Sequence, residues 1–180
     1  MKKRRGQSII EAMVALSILI IGFLGTIALI NRSIGLNRVV ADNYTATYLA
    51  AEGIEVTKNL IDGNYLKYNA NPFVYGFALC LELRPCEWEV EYDTNWETNP
   101  PVTRASGRQL WYDDTRKLYT YSNFGEISPF TRIIKIYLVG GDQLVVNSEV
   151  TWRTRGGGIS TVNLEDRFYN WFIIGSSTTP

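Results

Sequence analysis

Few side chains in this sequence could do covalent or acid–base chemistry: it has no histidine, two cysteines at positions 80 and 86, and 18 carboxylates among 180 residues. Without histidine there is no Ser-His or Cys-His nucleophile system, and no glycine-rich phosphate loop or paired-cysteine metal motif occurs. That leaves carboxylate pairs. Asp113-Asp114 sits in a short polar stretch between two alternating segments, which is turn chemistry, and Glu87, Glu89 and Glu91 alternate as the solvated face of a strand does. A structural zinc site takes four ligands, which two cysteines without histidine do not supply. These residues point to no catalytic group, no metal and no cofactor.

One carboxylate is placed where carboxylates are costly. Glu11 lies near the start of the apolar run Ile9 to Ile30, and every residue from Ala12 to Asn31 is uncharged. The run is 22 residues long, enough for ~33 Å of helix against a bilayer core of ~30 Å. It is longer than the ~7–15 residues of a signal-peptide core and ends in "ALINRS" without a small-x-small cut site. Ahead of it stand Lys2, Lys3, Arg4, Arg5 and Gly6. A basic cluster at that place sets topology: it puts the N-terminus in the cytoplasm and everything after Arg32 across the membrane. The overall balance of 18 basic and 18 acidic residues gives no sign of a nucleic-acid partner.

For an arbitrary anchor, Glu11 would snorkel to headgroup water; the alternative is a cation supplied by another chain. Here "RRGQSIIEAMVALSILIIGFLG" resembles the class III signal of type IV prepilins and type II secretion pseudopilins: a short basic leader ending in Gly6, a carboxylate five residues after it, and a hydrophobic stretch. The resemblance implies cleavage by a prepilin peptidase between Gly6 and Gln7, N-methylation of Gln7, and docking of Glu11 on the positive N-terminus of a neighbouring subunit. Gln7 departs from the phenylalanine usual at that place. "EAMVALSILIIGFLG" is most similar to the minor-pilin and minor-pseudopilin branch. Implied partners are other pilin or pseudopilin subunits, prepilin peptidase, fibre assembly machinery and membrane lipid. The implied location is the inner membrane, single-pass, followed by an extracellular or periplasmic fibre. A membrane-anchored extracytoplasmic binding domain is the other reading, differing in the fate of the N-terminus.

The elements that must position these residues follow from periodicity. From Ile30 to Ile61 there is no proline, and Leu36, Val40, Tyr44, Thr47, Ala51, Ile54 and Ile61 recur mostly at three- and four-residue steps, so the helix is expected to continue to Asp62-Gly63. After Gly63 all five tryptophans appear and period-two patterns take over. "RQLWYDD" and "RKLYTYS" read as a hairpin, and "FTRIIKIYLVGGDQLVVNSEVTWRTRGGGISTVNLE" as three strands. Ile134, Ile136, Leu138, Leu144, Val146, Val150 and Trp152 fall inward; Asn147, Glu149, Thr151 and Arg153 fall outward. "TNWETNPPVTRASG" reads as loop and "GSSTTP" as a frayed tail. The expected class is α+β, with the second half of the helix covering an antiparallel sheet. The expected division is leader 1–6, apolar helix 7–30, helix 31–62 and β-rich head 63–180. Across the membrane, Cys80 and Cys86 form a disulfide candidate closing a small loop, with two buried unpaired thiols as the alternative.

Overall fold

The computed structural model describes residues 7–68, 73, 75–78, 80, 84–103 and 106–170. Gly6 and the rest of the leader, and the tail from 171 on, lie outside the described residues. One helix, α1 (Gln7–Tyr68), is followed by seven strands. The chain divides into two compact units, Met1–Asp42 and Asn43–Pro180.

In the first unit every side chain described from Ile9 to Ala41 is exposed. The segment is long and apolar enough to cross a membrane. No residue within it is a strong helix breaker except Gly22, Gly25 and Gly35, and each of these costs only ~1 kcal/mol against alanine.

In the second unit the helix from Asn43 onward lies on a seven-stranded antiparallel sheet. Its strands are β1 (Cys86–Glu89), β2 (Val102–Thr103), β3 (Gln109–Asp113), β4 (Leu118–Thr120), β5 (Glu126–Val139), β6 (Gln143–Arg153) and β7 (Ile159–Tyr169). β5 is the spine. β6 pairs with it from Phe130↔Trp152 to Val139↔Gln143, and on its other edge β1 (at Ile134 to Ile136) and β3 (at Glu126 to Thr131) pair one after the other. β2 extends β1, β4 extends β3, and β7 extends β6 over its full length. The hairpin and the three long strands match the alternation in the sequence: Ile134, Ile136, Leu144, Val146, Val150 and Trp152 are all buried.

Helix and sheet meet in two apolar clusters. Ala46, Leu49 and Ala50 pack with Leu110, Tyr121, Phe130, Val150 and Trp152. Val56, Leu60 and Ile61 pack with Phe73, Phe77, Trp88, Ile134, Ile136 and Leu144. Between the clusters the helix lies tight against the sheet at Gly53, where a Cβ would stand 2.5 Å from Ile134 Cδ1 and 2.7 Å from Ser148 Oγ. At the same level the wholly buried Arg132 of β5 donates from Nη1 to the carbonyl of Leu49 (2.9 Å) and from Nη2 to that of Val90 (2.6 Å), with Glu52 Oε1 3.4 Å away.

Three expectations need correction. The helix does not stop at Asp62-Gly63 but runs to Tyr68. Gly63 costs about as much as any mid-helix glycine, and buried Leu60, Ile61 and Asn64 outweigh it; Asn64 Nδ2 also donates to the carbonyl of Tyr75 (2.9 Å). The stretch expected as loop contributes Val102 and Thr103 as β2, because the outer edge of β1 still has backbone groups to pair. β5 begins at Glu126 rather than at Phe130. Its Pro129 is tolerated because it precedes the first β6 pair and lies where the β3 register shifts, so no ladder donor is missed.

Gly53→Ala should force a shift at the helix–sheet contact and destabilise the head by ~1–3 kcal/mol, the usual effect of overpacking. Thermal unfolding of the purified full-length chain in detergent checks it. An unchanged midpoint would mean that the close approach is not a tight one.

Candidate functional site

Glu11 stands in the exposed first stretch of α1. The hydroxyls around it are satisfied within the helix: Ser17 Oγ donates to the carbonyl of Met13 (2.8 Å) and Thr26 Oγ1 to that of Gly22 (2.9 Å). Such i−4 bonds remove a polar group's need for an outside partner. Among the described residues Glu11 has neither a hydrogen bond nor an ion pair, so between Ile9 and Ile30 it is the one polar side chain left without a partner. Gln7, four residues earlier and on the same helix, begins α1.

Cys80 and Cys86 are joined by a disulfide, with Cα atoms 4.9 Å apart. Cys80 is fully buried, and its carbonyl accepts from the N–H of Leu138 (2.7 Å), so the bridge ties the segment carrying Phe73 and Phe77 to the β1–β5 pair.

The carboxylates weighed as acid–base pairs have structural work instead. Glu89, expected on a solvated face, is 2 % exposed. It accepts from the N–H groups of Ser106 (3.1 Å) and Arg108 (3.0 Å) and from Arg108 Nε (2.6 Å). Burial pushes its carboxyl up, but the hydrogen bonds and charge of Arg108, with the Ser106 N–H, more than offset this and hold it below the usual carboxylate range. The Arg108 guanidinium also lies 4.7 Å from the ring centre of Tyr121. Burial pushes the Tyr121 hydroxyl up to about 12, and it donates to the carbonyl of Arg132 (2.9 Å). Glu87 is exposed; Glu91 accepts from the N–H of Tyr121 (2.6 Å). Asp113 closes the β3–β4 turn by accepting from the N–H groups of Thr115 (2.9 Å) and Arg116 (3.2 Å), while Asp114 pairs outward with Lys117 (2.5 Å). The sequence reading named neither Arg108 nor Arg132. For Arg132 the signal was present, since it shares strand parity with Ile134 and Ile136; for Arg108, distant from Glu89 in sequence, there was none.

The carboxylates just described thus give no catalytic pair, and the comparisons bear on the N-terminal site. Residues 1–27 match the family model for the prokaryotic N-terminal methylation motif. No curated protein and no solved structure matches the chain. The match covers the basic leader, Gly6, Gln7 and Glu11, and supports a type IV pilin-like precursor with an N-terminal apolar helix. Such subunits are structural rather than enzymatic, and the apolar helix fits a single-pass, membrane-anchored protein.

Two outcomes are expected in the head. Thiol labelling of the non-reduced, denatured protein should modify neither Cys80 nor Cys86, and reduction should cost about 2 kcal/mol or more of stability by freeing the small loop; quantitative labelling of both without reductant would show a dithiol. Because the folded head holds the Glu89 proton more weakly than the unfolded chain does, the stabilisation is fully present above pH ~4.3 and is lost as pH falls below it. Glu89→Gln should be less stable at pH 7 and should lose stability less steeply below pH ~4; parallel acid titrations by near-ultraviolet circular dichroism check this.

Proposed function

We propose that this chain is a minor pilin or pseudopilin, a structural subunit of a type IV pilus-like or type II secretion fibre. Prepilin peptidase cuts between Gly6 and Gln7, and the new amino group of Gln7 is methylated. The apolar helix keeps the subunit in the inner membrane, head outward, until assembly machinery moves it into the fibre. There Glu11 meets the positive N-terminus of a neighbouring subunit.

The observation that carries this reading is the isolation of Glu11. It is the unpartnered polar group of a membrane-length segment whose hydroxyls are bonded internally, and it falls inside a matched methylation motif. An anchor needs no such group, and a charge in a span costs free energy, up to about 2.5–3.5 kcal/mol at the bilayer centre and less near its ends.

Glu11→Ala separates the two roles. For a pure anchor, removing the charge eases insertion and leaves everything else unchanged. For a docking charge, it strands the neighbour's ammonium in a low-dielectric core at a cost of about 3–5 kcal/mol, a factor of hundreds or more in an assembly step. The expected result is a normal mature N-terminus at Gln7, normal membrane levels, and sharply reduced tagged subunit in sheared fibres, or reduced fibre yield. Wild-type levels of both with normal cleavage would overturn the docking role, and a mature chain starting at Met1 in cells with prepilin peptidase would overturn the subunit reading.

A further inference from the structure

Two surfaces of the head lie at the same end of the sheet and on opposite edges. The β3–β4 turn and the β6–β7 turn both flank the start of β5, because Tyr112 pairs with Glu126 and Trp152 with Phe130. β4 forms one edge of that end and β7 the other.

Beside the β3–β4 turn is a hollow of about 670 Å³ lined by Glu91, Asp93, Asp113 and Asp114, of which Asp113 pairs with Arg116 and Asp114 with Lys117. Its apolar wall is Tyr92 and Phe124, 43 % and 76 % exposed. The backbone at Phe124 is held in place. Its N–H donates to the carbonyl of Ser122 (2.7 Å), and the following Gly125, at φ +108°, has its Cα against the carbonyl of Tyr112, where no Cβ fits. The fold thus fixes the backbone that carries a large exposed aromatic ring, a placement that suits an interface anchor.

The β6–β7 turn carries the opposite charge. Arg153 and Arg155 are exposed, and among the described residues neither has an acidic partner. The turn is itself fixed, with the Thr154 N–H donating to Gly158 and the Gly157 N–H to Thr154, both 2.9 Å. Ile159 beside it is 72 % exposed.

We infer that heads dock side by side in a heterologous contact, the Arg153–Arg155 turn of one copy seating in the acidic, Phe124-walled hollow of a second copy of this chain. Guanidinium groups suit the hollow on both counts, since they pair with carboxylates and stack on aromatic faces. The exposed Asp114–Lys117 pair is worth little and yields readily to a second cation. Each copy offers the turn on one edge and the hollow on the other, so the contact is heterologous and a pair of copies leaves one turn and one hollow open. The inference goes beyond the fibre-subunit reading by naming a surface of the head and its occupant.

The test uses full-length copies carrying different tags, co-expressed, with Gly156→Cys in one and Thr115→Cys in the other. Both positions are exposed, and the Cβ at 156 meets nothing within 4 Å. A short bis-maleimide added to membranes should trap the mixed dimer. Adding Arg153→Glu and Arg155→Glu to the first copy should lower its yield by about fivefold or more, and Asp114→Arg in the second copy should restore much of it. Retention of the Cys80–Cys86 bridge in each variant reports folding. No mixed dimer, a yield indifferent to charge reversal, or trapping of position 115 on a different protein would each overturn the contact. The mature N-terminus measured in the same membranes reports processing separately, so failure of the contact is distinguishable from failure of the subunit reading.

Discussion

The architecture of the head depends on one buried cation. Arg132 is inaccessible to solvent at the middle of β5, opposite the point where β1 has ended and β3 has begun, and it donates to the helix at Leu49 and to the chain leaving β1 at Val90. A guanidinium taken out of water is strongly unfavourable unless its donors are met, so it selects arrangements that offer carbonyls at those places. Sliding the helix by one turn would offer Arg132 another backbone carbonyl but would remove the Glu52 carboxylate and put a residue with a Cβ where Gly53 meets the sheet. Gly53 belongs to the same constraint, because only a residue without Cβ lets the helix backbone come near enough to Ile134 and Ser148 for Arg132 to reach it. The apolar clusters on either side supply most of the favourable burial but are tolerant of register; the arginine is not.

Much of this was legible in the sequence, and the illegible parts share a cause. Strands β5 to β7 and the β3–β4 hairpin could be read because one face is core and the other solvent, which writes a period of two into the residues. Period-two reading also places Arg132 inward, but a charge at a core position looks like an exception until its acceptors, remote in sequence, are known. Glu89 misleads in the opposite direction. Its strand alternates, yet the chain at 106–108 crosses the outer face and covers it, and nothing local to Cys86–Glu89 announces that. The end of the helix was misjudged because Asp62-Gly63 is a local stop signal and the burial of Ile61 and Asn64 is a tertiary gain that exceeds it. The methylation motif over residues 1–27 was legible because it lies in composition and spacing rather than in folding.

The two units of the chain are built on opposite principles of satisfaction. In the head, buried charges find partners within the chain: Glu89 meets Arg108, and Arg132 meets backbone carbonyls through Nη1 and Nη2, while its buried Nε has no hydrogen-bond partner among the described residues. In the segment Ile9 to Ile30, large apolar side chains stand exposed throughout, each leaving roughly 1.5–3 kcal/mol of burial unrealised. No rearrangement within a single helix can recover that, so the segment requires a surrounding phase, whether lipid tails or other helices.

Those two phases differ in what they offer Glu11. Lipid tails satisfy the apolar side chains as well as neighbouring helices do, but provide no cation, so in lipid Glu11 persists by sitting close enough to the surface to keep water. A bundle of like helices offers the same apolar contact together with the one group lipid lacks, the positive terminus of another chain. Under the proposed docking role, the difference between the phases would be concentrated in a single ion pair, while the apolar contribution nearly cancels. A segment designed only to anchor would have no reason to carry that difference. One that must leave lipid for a helical array gains from it both a driving force and a register, because a carboxylate and an ammonium meet at one axial offset whereas apolar faces slide.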